Sequence, residues 1–389
     1  MTPTRAYLDH AASTPMLPEA AEAWHAAATR VGNPSSLHAS GRSARRLVEE
    51  SRESIADDLH VRPSEIIFTA GGTESDNLAV KGLAWARPDR SRLLCSSIEH
   101  HAVLDPVAWL EEQGRDVDWI PVDALGRVSP QEVGARLGHD VALCTVMWAN
   151  NEVGTVQPVA EIAAACARAE VPFHTDAVQA LGQVPVDAGL PGITALTLSG
   201  HKIGAPLGVG VLMLRRDAIV VPVLHGGGQE RDVRSGTVDA PSAAAMAVAV
   251  RHAVNTQQES ALRLREMSAR LAQGILDRVP GAVLNGDPVD RLPGNVHVTF
   301  PGCEGDALLM LLDATGVECS TGSACTSGVP EPSHVLLAMG VDPRLARSSL
   351  RFSLGRTSTD EDIDRVLQAL PPAVDRASRA GVARIRPRA

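Results

Sequence analysis

Only two of the 36 lysine and arginine residues in this 389-residue chain are lysine, Lys81 and Lys202. Arginine serves almost wherever a bare positive charge will do. Lysine adds an amine that can lose its proton and attack a carbonyl. Lys202 lies in Leu198-Ser199-Gly200-His201-Lys202-Ile203-Gly204, just past the β-type run Ile193 to Leu198. A strand end among small residues is where α/β proteins place chemistry. A second strand-like stretch, Pro172-Phe173-His174-Thr175, ends in Asp176. A partly buried carboxylate there would keep a heterocyclic nitrogen protonated by raising its pKa; the plainer reading is a helix N-cap. A third strand, Ile66 to Thr69, runs into Ala70-Gly71-Gly72-Thr73-Glu74-Ser75-Asp76-Asn77 and then into helix. A strand, a glycine turn and a helix N-terminus together make an anion cradle. Thr73 and Asp76 also read as a capping box, and the two readings are compatible. Glu74 and Asp76 would repel a phosphate, so both are expected to face away from it.

An amine, a carboxylate suited to a ring nitrogen and a phosphate cradle are the set that pyridoxal phosphate requires, with Lys202 as its Schiff-base lysine. Other stretches supply further candidates. His100 follows the strand Leu93 to Ser96 and could stack on a flat ring and relay protons, with His101 expected to face elsewhere. Asn151 follows the strand Val141 to Met147, where an amide can bond a substrate carboxylate or a ring hydroxyl. Gln179 could bond the ring hydroxyl, and the polar run Arg234-Ser235-Gly236-Thr237 could reach a phosphate in this subunit or a neighbouring one. Cys325 sits among small polar residues from Ser320 to Ser327, as an exposed reactive thiol would. Cys95, Cys144, Cys166 and Cys319 read as core, and Cys303 is open. A zinc site through Cys319 and Cys325 lacks two further ligands at sensible spacing. Arg351, in Leu350 to Arg356, could clamp a carboxylate. Singly, each has a bland alternative: a helix-start histidine, an asparagine turn, a surface ion pair. The loop Asn33-Pro34-Ser35-Ser36 is likewise either turn chemistry or a ligand contact.

The elements that must hold these residues alternate strand and helix. Helices are expected at Pro18 to Thr29, Arg42 to Leu59, Val159 to Ala169, Ser242 to His252, Glu259 to Val279, Gly305 to Thr315 and Thr359 to Leu370. The pattern changes near Gln257. That predicts a large domain over 15–256 and a smaller one from 1–14 and 257–389, the latter carrying the Cys325 loop. Hydrophobic residues make up 44% and aromatics 3%, so the core must be built of aliphatic side chains. A formal charge of −10 argues against a surface that coats nucleic acid. No apolar run approaches the roughly 20 residues of a membrane helix. Six scattered cysteines without a paired framework suggest the reducing cytoplasm. The basic tail from Arg376 is assigned no role.

Together these stretches resemble the cysteine desulfurases of the NifS/IscS type, in the class V aminotransferase group of fold-type I pyridoxal phosphate enzymes. The resemblance runs from about Tyr7 to Leu370 and rests on Ala70 to Asn77, Glu99 to Leu104, Asn150 to Gly154, His174 to Gln179, Ser199 to Lys202, Arg234 to Thr237 and Gly322 to Ser327. Gly71-Gly72 stands where many relatives carry Gly-Ala. The resemblance implies an α/β fold with a mainly parallel seven-stranded sheet in the large domain and a smaller α+β C-terminal domain. It implies that Lys202 binds the cofactor and shuttles a proton, that Asp176 pairs with the ring nitrogen and Gln179 with the ring oxygen, and that His100 stacks on the ring. Gly72, Thr73, Ser199 and His201 would hold the phosphate. Thr237 would reach the phosphate of the other subunit of a homodimer. Asn151 and Arg351 would orient L-cysteine, and Cys325 would be the nucleophile. The implied reaction converts L-cysteine to L-alanine and leaves a Cys325 persulfide for an iron–sulfur scaffold or a tRNA-thiolation acceptor. The rivals are a selenocysteine lyase or other class V aminotransferase, which would not need Cys325, and a non-enzymatic scaffold that carries sulfur or metal.

Overall fold

A computed structural model describes residues 5–322 and 332–385 of the chain. It opens with strand β1 (Ala6–Tyr7) and helices α1 (Pro18–Ala28) and α2 (Ala39–Asp58). Strands and helices then alternate through β2 (Ile66–Thr69), α3 (Gly72–Trp85), β3 (Arg92–Ser96), α4 (His101–Glu112), β4 (Asp116–Ile120), α5 (Pro130–Arg136), β5 (Val141–Thr145), α6 (Val159–Arg168) and β6 (Phe173–Asp176). Next come β7 (Ile193–Ser199), β8 (Gly210–Leu214) and the long α7 (Ala240–Arg278). The last part holds β9 (Val283–Leu284), β10 (Asn295–Thr299), α8 (Gly305–Asp313), β11 (Val317–Glu318), α9 (His334–Ala338), α10 (Pro343–Ala346), β12 (Ser349–Ser353) and α11 (Asp360–Ile385).

Seven strands form the central sheet in the order β2-β8-β7-β6-β5-β3-β4. All run the same way except β8, which is antiparallel to both β2 and β7. The connection from β7 to β8 carries no crossover helix, and only an antiparallel neighbour can be reached without one. The expected mainly parallel seven-stranded α/β sheet is therefore present. Every residue of β5 is buried, the pattern of a strand covered on both faces. α6 supplies part of that cover through Val159, Ile162, Ala163 and Cys166, spaced to share one helix face.

A second sheet, β12-β10-β9, is antiparallel, and β1 pairs in parallel with β11. Its core gathers Ala6 and Leu8 from the start of the chain with Leu264, Leu271, Val298 and Phe352. α7 links the two cores. The sequence pattern predicts two helices with a break near Gln257, but one helix runs through. Asp239 caps it and Pro241 stands in its first turn. The pattern changes because the buried partner changes. Ala243, Met246, Ala249 and Val250 face the core of the central sheet, whereas Leu264, Met267 and Leu271 face the second core. β12 ends at Ser353, short of the exposed Arg356, which donates to Pro15 O. Among the described residues, no helix is long and apolar enough to cross a membrane.

Candidate active site at the carboxyl edge of the sheet

A cavity of about 660 Å³ opens at the carboxyl ends of the parallel strands. Placement follows from strand direction, because each same-way strand delivers what comes next in sequence to one edge. β2 leads to Gly71, Gly72 and Thr73, and β3 to His100. β5 leads to Asn151, β6 to Asp176 and Gln179, and β7 to Ser199, His201 and Lys202. All of these line the cavity. Arg351 enters from β12 of the second sheet. The cavity thus unites residues spread over most of the chain.

The cradle turn depends on Gly71, whose φ of 151° and ψ of −177° suit a residue without Cβ. Glu74 and Asp76 both border the cavity, contrary to the expectation that they face away. Their carboxylates nevertheless have other contacts. Glu74 Oε2 accepts from Ala70 N at 2.6 Å and Glu74 Oε1 accepts from Arg234 Nε at 2.8 Å. Asp76 is buried, with Oδ1 3.4 Å from His174 Nε2. Burial pushes Asp76 up to about 7 and His174 down to about 4. Between about pH 4 and pH 7 these two meet as a neutral acid and a neutral imidazole.

Lys202 is half-buried. Its Nζ donates to Ala11 O at 2.6 Å and to Ala12 O at 2.7 Å. Burial first and the positive charge of Arg351 second lower its pKa to about 8, against the opposing pull of Asp176 and Asp9. Asp176 is buried too, and its side chain accepts a hydrogen bond from Val178 N at 2.8 Å. Burial, with repulsion from Asp76 second, raises Asp176 to about 7. A carboxylate held this way gains by meeting a cation.

His100 is the N-cap of α4, where its Nδ1 accepts from Ala102 N at 3.1 Å. The neutral ring must then carry its proton on Nε2. Enclosure by protein lowers its pKa to about 4, and Lys202 adds to the effect, although the ring surface is open to the cavity. Arg351 is buried. Its Nη1 donates to Asn151 O at 2.9 Å and its Nη2 to Asp9 Oδ1 at 2.7 Å. Its Nε is buried with no hydrogen-bond partner among the described residues. Such a buried orphan donor is costly. Gln179 Nε2 donates to Ala11 O at 2.9 Å, and His201 Nδ1 lies 3.3 Å from Ser13 Oγ.

Among the described residues, one sequence candidate is not brought into this cavity. Thr237 is exposed, in a neighbouring depression beside Ala70 and Arg234. Cys325 lies outside the described residues. The other five cysteines are all buried, including Cys303 and Cys319, whose pKa values burial raises. Some lining residues carry no signal in the sequence. Ala11 and Ala12 act through backbone carbonyls, which no residue type announces. His101 lines the cavity although expected elsewhere, and His334 meets it edge-on at 5.4 Å between ring centroids. His334 was hidden by its distance along the chain.

The chain is similar to known proteins over nearly its whole length. The family described as aminotransferase class-V matches residues 6–366. An IscS-like cysteine desulfurase from Mycobacterium tuberculosis is 58% identical over 387 residues, covering 97% of this chain and 98% of its own. Among solved structures, a NifS-like protein matches with a TM-score of 0.90 at 34% identity, covering 96% of this chain and 100% of that one. The structure of SspA in complex with cysteine matches with a TM-score of 0.81 at 35% identity, covering 92% of this chain and 100% of that one. With that coverage and this edge of the sheet in view, the chain belongs to the class-V aminotransferase family, among its cysteine desulfurases of the IscS and NifS type.

Proposed function

We propose that this chain is a pyridoxal phosphate-dependent cysteine desulfurase that converts L-cysteine to L-alanine and carries the sulfur away as a Cys325 persulfide. The observation that carries the reading is the convergence on one cavity of Lys202, the buried Asp176 and the Arg351 guanidinium. The donor set fits the cofactor. Lys202 is the cavity's only lysine, and Asp176 has no basic side chain bonded to it among the described residues. The turn Gly71-Gly72-Thr73 offers backbone N–H groups at the start of α3, with Ser199 and His201 beside it. When bound, pyridoxal phosphate supplies an electrophilic carbon and an electron sink for the charge left when an amino acid loses its Cα proton.

The chain's own residues do the rest. Lys202 would hold the cofactor through Nζ and would take the Cα proton of the substrate. Asp176 holds the positive charge at the ring nitrogen. His100 stacks on the ring, with its Nε2–H available to a neighbouring heteroatom. Gln179 would bond the ring oxygen, while Asn151 and Arg351 would orient the substrate carboxylate. The Cys325 thiolate then attacks the substrate sulfur. The new S–S bond forms as the C–S bond breaks, and protonation of the remaining carbon skeleton completes alanine. Residues 15–256 hold the cofactor, and residues 1–14 and 257–389 bring up the thiol. Thr237 completes the phosphate site of a second subunit in a homodimer. The persulfide passes to an iron–sulfur scaffold or another sulfur acceptor in the cytoplasm.

Cys325→Ser is expected to reduce alanine and sulfide release from cysteine by at least about 100-fold while leaving the bound cofactor in place. Coupled alanine assay and absorbance of the purified variant read the two effects; full activity on cysteine would remove the persulfide step. The amine offers a second test. An attacking lysine must be deprotonated, so a lowered pKa moves reactivity to lower pH. The rate at which cofactor-free protein captures pyridoxal phosphate should rise with pH through a midpoint near 8 rather than 10.5. Stopped-flow absorbance across pH 6 to pH 11 would show it, because the free-amine fraction for a midpoint near 8 rises from about 1% at pH 6 to about half at pH 8 and then saturates. A midpoint at the ordinary lysine value would contradict the buried setting.

A further inference from the structure

The first turn of α3 places a negative charge where a dianion is to be bound. Glu74 directly follows Gly72 and Thr73 and borders the same cavity. The helix N-terminus attracts a phosphate, and an uncompensated carboxylate in the same turn repels it. Glu74 is compensated. Arg234 Nε and Nη2 reach its two carboxylate oxygens at 2.8 Å and 3.4 Å. Both side chains are mostly covered, at 16% and 20% exposure, so solvent screens the pair far less than a surface pair.

Arg234 is held there by a rigid mount. Its loop folds back tightly, with Arg231 and Asp232 at positive φ and Glu230 N bonded to Arg234 O at 3.0 Å. Glu230 is buried and accepts from Arg52 Nη2 at 2.7 Å, Arg52 Nη1 at 2.8 Å and Phe68 N at 2.8 Å. Phe68 belongs to β2, the strand that leads into the cradle. One buried carboxylate therefore ties the loop to the strand, and one arginine from that loop caps the charge at the strand's end.

We propose that Arg234 is a positioning residue that neutralises Glu74 so that the Gly72–Thr73 turn can accept a phosphate monoester. This rests on the reading of that turn as the seat of the cofactor phosphate. Arg234 itself touches Glu74 and need not touch the ligand. Glu74 in turn holds Ala70 N, which shapes the turn, so the pair keeps the geometry of a carboxylate without its field.

The test compares pyridoxal phosphate with pyridoxal, which lacks the phosphate, on full-length protein freed of cofactor. Arg234→Ala is expected to weaken binding of pyridoxal phosphate by about 10- to 100-fold and to change pyridoxal binding by no more than about threefold. Adding Glu74→Gln should recover most of the loss, and Arg234→Lys should stay near wild type. Equal weakening for both ligands would mean that Arg234 merely supports the loop. An unchanged Arg234→Ala, or no recovery in the double variant, would equally overturn the proposal. If wild-type protein failed to prefer pyridoxal phosphate over pyridoxal, the phosphate seat itself would fall, and the proposal with it. A wild type that discriminates beside variants that still do so would overturn the Arg234 role alone.

Discussion

Lys202→Ala is expected to lower alanine formation from cysteine by at least about 10⁴-fold, because in the proposed reaction one amine both anchors the cofactor and moves the Cα proton. No neighbour can take its place. The only other lysine is Lys81, which packs over the Trp109 ring at 4.7 Å, away from the cavity. The two carbonyls that accept from Nζ hold the amine in place and donate nothing to a substrate. The variant should also lose the covalent adduct. Borohydride reduction followed by peptide mass measurement should label Lys202 in the wild type and nothing in Lys202→Ala. Adduct at any other side chain, or activity within about 100-fold of wild type, would mean that the catalytic amine lies elsewhere.

Asp176→Asn comes next in size, with an expected loss of about 10²- to 10³-fold in kcat and a smaller change in KM. The amide is nearly the same shape and can still accept from Val178 N, so folding should hold. What it loses is charge. Asp176 is pushed up to about 7 by burial and by Asp76, so it stands ready to stabilise a cation placed beside it. An amide cannot keep a ring nitrogen protonated, and the electron sink weakens. The sign with pH follows. In the cofactor-free protein the carboxyl is protonated below about 7 and ionised above it; a cationic ring nitrogen beside it favours the ionised form and moves that transition downward. Wild-type activity should therefore fall on the acid side, and the Asn variant should lose that limb of its pH profile. An Asn variant within tenfold of wild type, with the limb intact, would deny Asp176 this role.

Much of the site was legible in the sequence for a physical reason. Lys202, Asp176, His100, Asn151 and the Gly71–Thr73 turn each follow a short apolar run directly. In a parallel sheet that adjacency is enough to send them all to one edge. The scarcity of lysine marked Lys202 before any neighbour was known. The glycine turn was legible for the same reason, since Gly71 adopts a backbone conformation that suits a residue without Cβ.

What only the tertiary structure decided concerns contacts between distant segments. The direction of β8 and the passage of α7 unbroken through Gln257 depend on what packs against them, and composition merely registered the change of partner. The placement of Arg351 against Asp9 and Asn151 required two sheets to meet. The carbonyls of Ala11 and Ala12 at Lys202 required the start of the chain to cross the mouth of the cavity. The same holds for Glu74: the sequence places a carboxylate in the cradle, but whether it repels a phosphate depends on Arg234, which arrives from a loop anchored through Glu230. Charge is written residue by residue along the chain, whereas the field at a point is a sum over everything that folding brings near it.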